Sequence, residues 1–167
     1  MKTFFDLTEL KQMLQVWRLA SNNIVFTNGC FDILHEGHVT YLEEAKKLGH
    51  RLVIGLNTDA SVKRQGKGDD RPINNELARA KVLGALRAVD AIVLFDEETP
   101  LSLINIVKPE VLVKGADYDE NETDDRVKNY IVGANETKKR GGVVKAIPLV
   151  QGASTTNTIA KINKANG

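Results

Sequence analysis

The sequence predicts an α/β fold in which a doubly wound, parallel, five-stranded sheet carries helices on both faces of a single domain. Short apolar segments alternate along the chain with longer segments of helical periodicity. The apolar segments are continuous, as in Ile24-Val25-Phe26, which indicates strands that are buried on both faces. Right-handed crossovers then place helices on both sides of the sheet. The length of 167 residues suits one such domain.

The first half of the chain is predicted to begin with a helix. Asp6 and Glu9 have the spacing of a capping pair, and apolar residues from Leu7 to Trp17 recur at helical spacing. A polar stretch over 58–75 is long for a connection in a compact domain, so it is predicted to be a functional loop. The other elements predicted in this half are a strand over 24–26, a helix over 37–48 and a strand over 52–56.

The second half continues the alternation of helices and strands. Thr99 followed by Pro100 is typical of an N-cap and the first position of a helix. Ser154 is predicted to cap the last helix. The acidic segment 117–129 has no clear periodicity and is not assigned. The other predicted elements are helices over 75–89, 100–107 and 130–140, and strands over 91–95, 111–113 and 143–147.

Composition excludes several classes of protein. Lysine and arginine number 23 against 22 aspartates and glutamates, a net charge of +1, which argues against a nucleic-acid partner. Cys30 is the single cysteine, so no disulfide can form within the chain, which suits a reducing compartment. No apolar run is long enough to span a membrane, and charge interrupts the N-terminus too early for a secretory signal. We therefore expect a cytoplasmic protein.

The residues that follow the predicted strands point to phosphate chemistry. In open parallel sheets, ligands bind beyond the carboxyl ends of the strands. Gly29 follows the first strand and is predicted to take a backbone conformation that few other residues can adopt. His35 and His38 then lie three positions apart at a helix entrance, where free N–H groups and the helix dipole favour phosphate. Their spacing is not that of the zinc-protease helix, where the two histidines are four apart.

Three further blocks can be interpreted from the residues alone in two ways each. Ser154, Thr155 and Thr156 present hydroxyls at a helix start, as a second anion site or as an N-cap only. Lys114 and Asp117 follow a buried strand, and they are interpreted either as side chains that project into the crevice or as a solvated pair in a loop. Four cations lie between positions 63 and 71, and they are interpreted either as a loop that closes over phosphates or as a solvated surface. Cys30 is predicted to pack behind the turn, because no sequence feature supplies a base for it.

The string Gly29-Cys30-Phe31-Asp32-Ile33-Leu34-His35-Glu36-Gly37-His38 resembles the first signature of the His-x-Gly-His nucleotidyltransferase superfamily. The resemblance continues in Lys114-Gly115-Ala116-Asp117-Tyr118 and Gly152-Ala153-Ser154-Thr155-Thr156, and covers about residues 24–162. Segments 57–63 and 67–74 make the chain most similar to D-glycero-β-D-manno-heptose 1-phosphate adenylyltransferases. Related cytidylyltransferases carry an arginine at the position near Leu149, which argues against a cytidylyl donor.

This resemblance implies a Rossmann-like nucleotidyltransferase domain over 23–167, preceded by an N-terminal helix over 1–22. It implies transfer of AMP from ATP, with Mg²⁺ accompanying ATP, and no residue is predicted to ligate a metal. The predicted catalytic residues are His35, His38 and Lys63. The predicted nucleotide-binding residues are Thr27, Asn28, Gly29, Phe31, Arg79, Lys114, Gly115, Ser154, Thr155 and Thr156. The predicted acceptor-binding residues are Asp32, Lys67 and Asp117.

The predicted reaction joins ATP and D-glycero-D-manno-heptose 1-phosphate into ADP-heptose and pyrophosphate, for lipopolysaccharide core precursors. The alternatives are flavin mononucleotide adenylylation, cytidylylation of an alcohol phosphate, or a nucleotide-binding domain without turnover. The superfamily often forms dimers, so a homodimer is an expectation from the resemblance alone. Because the resembling domain is fused to a sugar kinase in many bacteria, and 167 residues leave no room for one, we expect a separate kinase.

Overall fold

Five parallel strands form the centre of the protein. The computed structural model describes residues 3–66 and 71–148, together with positions 150, 152, 155, 158, 159, 162 and 164. The strands are β1 Ile24–Gly29, β2 Arg51–Asn57, β3 Ala91–Phe95, β4 Val111–Gly115 and β5 Val143–Ile147. They pair in the order β3-β2-β1-β4-β5, and every pairing is parallel. The predicted five-stranded, doubly wound sheet is therefore confirmed.

Helices cover both faces of this sheet. They are α1 Leu7–Leu19, α2 Glu36–Lys47, α3 Asp59–Arg64, α4 Glu76–Gly84, α5 Leu101–Val107 and α6 Ala134–Lys139. One apolar cluster joins Leu10 and Leu14 of α1, Leu103 of α5 and Ala134 of α6 to one face of the sheet. The other cluster joins side chains of α2 and α4, including Leu42 and Leu83, to the opposite face. Successive strand residues alternate between the two clusters, which gives the continuous apolar strands of the sequence.

The first helix begins where the sequence predicts. The Asp6 side chain accepts the N–H of Glu9, and the Glu9 carboxylate accepts the N–H of Asp6, so the capping box is complete. On the sheet side of this helix, Leu10, Leu14 and Trp17 are buried. The helix therefore packs into the same layers as the rest of the domain.

Two predicted boundaries were wrong for local reasons. The stretch predicted as a loop over 58–75 contains α3, because the Thr58 side chain caps the N–H of Ser61 and Val62 is buried. The helix predicted over 130–140 begins only at Ala134, because Gly133 has a φ of 85° and breaks the chain direction. Short helices of this kind carry too little periodicity to be found by apolar spacing.

Two further boundaries also moved. Helix α4 ends at Gly84 and not at 89, because the chain continues in tighter turns that Leu86 and Val89 make with carbonyls three residues back. Pro100 and not Thr99 is the N-cap of α5, without a side-chain capping bond. The segment 117–129 consists of turns and bends. Ser154 lies outside the described residues, and the described positions 155, 158, 159, 162 and 164 are helical.

Candidate active site

A crevice opens at the carboxyl ends of β1 and β4, where the strand order reverses. Strands β2 and β3 lie on one side of β1, and β4 and β5 lie on the other. Such a switch point is the usual ligand site of open parallel sheets. The crevice has a volume of about 430 Å³, within the range of small-molecule sites. This first crevice is lined by Asn28, Gly29, Cys30, Phe31, His35, Gly37, His38, Tyr41, Lys114, Gly115, Asp117, Tyr118, Val150 and Thr155.

The two predicted histidines form a stacked pair on this crevice. Their ring centroids are 3.9 Å apart, and the ring planes are inclined by 26°. His35 is the N-cap residue of α2, but its side chain makes no capping bond, so the imidazole remains available to a ligand. His38 lies in the first turn, and its own N–H donates to the carbonyl of His35 at 2.9 Å. The pair therefore adds ring donors to an N-terminal helix end that already favours anions.

Phe31 and Gly29 shape the turn that leads to the pair. Gly29 was predicted to need an unusual backbone, but the positive φ is at Phe31, at 46°. A Cβ on Gly29 would lie 3.0 Å from the Phe31 ring, so the glycine provides space and not an unusual φ. The Phe31 ring in turn lies 5.3 Å from the His38 ring. Phe31, whose backbone is in the left-handed region, thus packs its ring against His38.

Both histidines are held in the neutral form at pH 7. Burial lowers the pKa of His35, and burial together with the neighbouring His35 lowers the pKa of His38 to about 4. Each neutral imidazole offers one N–H donor and one acceptor nitrogen. The Nδ1 atoms of both rings are buried and have no hydrogen-bond partner among the described residues. Such unsatisfied polar atoms are expected at a site that a ligand completes.

Acid should therefore weaken the fold through His38. Between pH 6.5 and about 4, His38 is protonated in the unfolded chain but stays neutral in the folded protein. The free energy of unfolding therefore falls as the pH falls through this window. The full shift corresponds to about 3 kcal/mol, and we expect about 2 kcal/mol because the half-buried ring is partly screened.

Urea unfolding of the wild type and of His38→Gln at pH 7 and pH 4.5 measures this contribution. The difference between the two proteins should change by about 2 kcal/mol between the two pH values. His50→Gln is the matched control, since His50 lies at the amino end of β2, and the crevices lie at the carboxyl ends of the strands. Equal pH dependence in the wild type and His38→Gln would show that this histidine is not held neutral by the fold.

Lys114 supplies the positive charge of the site. It lies near the end of β4, and its ammonium donates to the carbonyl of Asn28 at 3.2 Å. The same nitrogen lies 5.4 Å from the centre of the Tyr118 ring. Desolvation and the nearby Asp117 raise the pKa of Tyr118, so its hydroxyl stays protonated. Lys114 thus reaches across from β4 to the end of β1, on the floor of the crevice.

A second crevice of about 440 Å³ adjoins the first. The two share Asn28, Gly29, Cys30, Lys114 and Tyr118. The second crevice extends over the ends of β2 and β3, and its remaining lining residues are Asn57, Gln65, Phe95, Glu98, Thr99, Pro100 and Val132. Lys114 therefore lies at the border between two chambers, where a group bound in one meets a group bound in the other.

Most of the predicted site residues are brought together. Those that line the first crevice are Asn28, Gly29, Phe31, His35, His38, Lys114, Gly115, Asp117 and Thr155. The Thr155 hydroxyl donates to the carbonyl of Ile33 at 3.3 Å, which ties the end of the chain to the histidine loop. The predictions for Lys67, Ser154 and Thr156 fall outside the described residues.

Asp32 does not line either crevice, and its predicted contact with the acceptor stays a prediction. Its carboxylate is buried and accepts hydrogen bonds from Arg71 Nε at 2.7 Å and from the N–H groups of Ile73 and Asn74, each at 2.9 Å. Burial alone would raise its pKa, but these donors outweigh burial and hold the pKa below its usual range. Asp32 thus anchors the segment 71–74 beneath the histidine loop.

Arg79, predicted to bind the nucleotide, also lines neither crevice. Its fully buried guanidinium donates to the carbonyls of Asn74, Cys30 and Asn57 at 3.0, 2.6 and 2.8 Å. It also pairs with the Asp59 carboxylate at 2.7 Å. Every partner is a fixed group of the protein, so Arg79 joins the ends of β1 and β2 to α3 and α4 from behind.

Two other predicted residues lie away from the crevices. Thr27 is fully buried, and its hydroxyl is 2.7 Å from the hydroxyl of Tyr41, which it positions from behind. Lys63 is exposed on α3 and lines neither crevice. The parts predicted for Thr27 in nucleotide binding and for Lys63 in catalysis stay predictions.

Sequence reasoning missed the second crevice. Asn57 and Phe95 end β2 and β3, so the strand-end rule that found His35 and Lys114 could have found them too. Cys30, predicted to pack behind the turn, lines both crevices. Glu98 and Thr99 lie between β3 and α5, and Gln65 is the C-cap of α3; no sequence signal predicted ligand binding for them.

The chain matches known proteins along most of its length. The cytidylyltransferase-like family model matches residues 26–161. The bifunctional protein HldE of Magnetococcus marinus is 51% identical over 153 residues, which are 92% of this chain and 30% of that protein. The HldE of Methylobacillus flagellatus is 51% identical over 157 residues, with 94% and 30% covered. The chain thus spans about three tenths of the length of these curated relatives.

Solved structures agree with this match. The lipopolysaccharide core biosynthesis protein from Thermoplasma volcanium GSS1 aligns with a TM-score of 0.58 and 31% identity, covering 77% of this chain and 97% of that one. A pantoate-beta-alanine ligase from Francisella tularensis aligns with a TM-score of 0.56 over 98% of this chain and 80% of that one, at 13% identity, and shares the fold alone. Among the described residues, no helix is long and apolar enough to cross a membrane.

Proposed function

Because this chain belongs to the cytidylyltransferase-like family, we propose that it transfers the adenylyl group of ATP to D-glycero-D-manno-heptose 1-phosphate. The products are ADP-heptose and pyrophosphate, and the reaction would supply a precursor of the lipopolysaccharide core. The observation that carries the proposal is the stacked pair of neutral histidines, which lines one crevice together with Lys114, while Lys114 also lines the adjoining crevice. The lipopolysaccharide core protein of Thermoplasma volcanium supports the sugar acceptor, as does the resemblance of the motifs.

The two crevices suit the two substrates of such a transfer. We place ATP in the first crevice, with its phosphates at the N-terminal end of α2, and the acceptor in the second. An oxygen of the acceptor phosphate attacks the α-phosphorus of ATP, and the bond from this phosphorus to the bridging oxygen breaks. Pyrophosphate carries away the electron pair of that bond. The acceptor oxygen is already an anion, so the step requires no general base.

The residues of the site then act through position and charge. His35 and His38 donate ring N–H groups to the α-phosphate and its leaving oxygen, where negative charge grows. Their lowered pKa values leave both imidazoles neutral before ATP binds. The pair therefore does not attract other anions by a net positive charge. Lys114 lines both crevices, so with the two substrates bound as proposed its charge would offset the repulsion between their phosphates, which is the main obstacle to bringing two anions together.

Mg²⁺ is proposed to enter with ATP. Within the described ranges, no group of three or more histidine, cysteine, aspartate or glutamate side chains could hold a metal. Asp117 is the carboxylate that lines the first crevice, which fits an ion held chiefly by phosphate oxygens and water. Mg²⁺ would neutralise phosphate charge there. The candidate partners of the outer phosphates are Ser154, Thr155, Thr156, Lys63 and Lys67.

We also propose that the protein is a homodimer and acts in the cytoplasm.

Pyrophosphate release with a panel of donors and acceptors tests the proposal. ATP and CTP are each combined with heptose 1-phosphate, glycerol 3-phosphate and flavin mononucleotide. We expect ATP with heptose 1-phosphate to exceed every other pair by at least about 100-fold in kcat/KM, since a built polar site discriminates by about that factor or more. Faster release with CTP, or with either other acceptor, would replace this proposal by the corresponding transfer. ATP binding in calorimetry without turnover of any acceptor would indicate a nucleotide-binding domain.

A further inference from the structure

The second crevice carries a distribution of side chains that the transfer step itself does not use. Its apolar lining residues include Phe95, Pro100 and Val132. Its polar lining residues include Gln65, Thr99 and Glu98. A small polyhydroxylated molecule has this dual character, because its C–H surface packs on apolar groups while its hydroxyls seek donors and acceptors.

Charge divides the second crevice into two ends. Lys114 provides a positive charge at the border with the first crevice, and Glu98 provides a negative charge on the side of β3 and α5. A phosphate is therefore favoured at the Lys114 end and disfavoured near Glu98. This polarity orients a sugar phosphate with its phosphate toward the first crevice and its hydroxyls toward Glu98.

Resting on the proposed function, we propose that Glu98 is a specificity-determining residue that accepts hydrogen bonds from hydroxyls of the sugar phosphate and rejects acceptors with a second phosphate. An ionised carboxylate has two oxygens and only accepts, so it can take two neighbouring hydroxyl donors at once. Glu98 makes no side-chain hydrogen bond or ion pair within the part of the chain that the structure describes. Its carboxylate is thus uncommitted where a ligand would meet it.

The connection that carries Glu98 is anchored on both sides. The Thr58 hydroxyl donates to the Asp96 carboxylate, and the Ser61 hydroxyl donates to the Glu97 carbonyl at 3.4 Å. Pro100 then begins α5 directly after Thr99. Because the backbone is fixed before and after it, Glu98 projects from a defined position on the rim of the crevice.

Glu98→Gln tests the proposal, with Glu97→Gln as the matched control. Glu97 is the adjacent carboxylate, but it accepts the N–H of Asp96 at 3.1 Å and lines neither crevice. Three readouts are measured for each protein. The first two are steady-state turnover with ATP, and calorimetric binding of heptose 1-phosphate in the presence of a non-hydrolysable ATP analogue. The third is inhibition of turnover by glucose 1,6-bisphosphate, a competitive inhibitor that probes the rejection of a second phosphate.

For Glu98→Gln we expect the KM and the calorimetric Kd of heptose 1-phosphate to rise about 10- to 100-fold, the range for lost hydrogen bonds to a charged group. The KM of ATP should stay within about twofold of the wild type, and the bisphosphate should inhibit at least about threefold more strongly. Glu97→Gln should match the wild type in every readout. A merely structural part for Glu98 would not improve inhibition by the bisphosphate.

The outcomes separate this inference from the proposed function. Turnover of heptose 1-phosphate with an unchanged KM and Kd in Glu98→Gln would overturn the part assigned to Glu98 and leave the transfer standing. Weaker binding in Glu98→Gln without turnover by the wild type would support Glu98 and overturn the transfer. No binding of heptose 1-phosphate to the wild type would overturn both.

Discussion

His38→Ala should lower kcat for pyrophosphate release by about 10³-fold while the protein remains folded. Removing one preorganised donor from a site where charge develops costs about 10²–10³-fold in other enzymes. His38 also packs against His35 and Phe31, so its loss disturbs the geometry of the remaining ring. His35→Ala should have an effect of similar size, and the double variant should be little worse than either single one, because the pair acts as a unit.

His50→Ala is the matched control for these variants. This third histidine accepts the N–H of Asn23 at 3.0 Å and lies at the edge of the sheet opposite the crevices. Its replacement should leave kcat within about twofold of the wild type. Circular dichroism and the urea midpoint confirm that each variant is folded. Near wild-type turnover in folded His38→Ala would remove this histidine from the reaction.

Arg79→Met should destabilise the domain by about 3–5 kcal/mol, the range for breaking a buried ion pair by removing one partner. The guanidinium satisfies the carbonyls of Asn74, Cys30 and Asn57 and the carboxylate of Asp59. Methionine fills much of the same space but donates to none of them, so three backbone acceptors lose their donors. Because the strand ends that line the second crevice depend on this arginine, activity should fall as well.

Urea unfolding measures the effect, and Arg87→Met provides the control. Arg87 is an exposed arginine after α4, so its replacement should change the free energy of unfolding by less than about 0.5 kcal/mol. Arg79→Lys should fall between the wild type and Arg79→Met, since one ammonium cannot replace the donors of a guanidinium. A loss below about 1 kcal/mol in Arg79→Met would show that water satisfies these carbonyls equally well.

The architecture could be predicted because its signals are local and strong. Continuous apolar segments such as Ile24-Val25-Phe26 indicated buried parallel strands, and the order of helices and strands then indicated a doubly wound sheet. Helix α3 was missed because six residues with two buried side chains show no periodicity. What fixes α3 is the Thr58 cap and the packing of Val62 in the folded domain, and both depend on tertiary context.

The part of the candidate site that lies in the motif and directly after the strands could be predicted from the sequence. His35, His38 and Lys114 lie where strand ends and a helix start place them. Arg79 was predicted as a ligand contact from the family resemblance, and Asp32 from its place beside the predicted phosphate site. Their partners, the carbonyl of Cys30 and the segment 71–74 among them, are distant in sequence. Only the folded structure shows that these charges already have protein partners.

The most direct test of the account follows the oxygen atoms of the reaction. The protein is incubated with ATP and heptose 1-phosphate whose phosphate oxygens are labelled with ¹⁸O, and the products are resolved by mass spectrometry. Attack of the acceptor oxygen on the α-phosphorus predicts that all of the label stays in ADP-heptose and that pyrophosphate is unlabelled. Labelled pyrophosphate, or pyrophosphate released without any sugar nucleotide, would contradict transfer across the border of the two crevices.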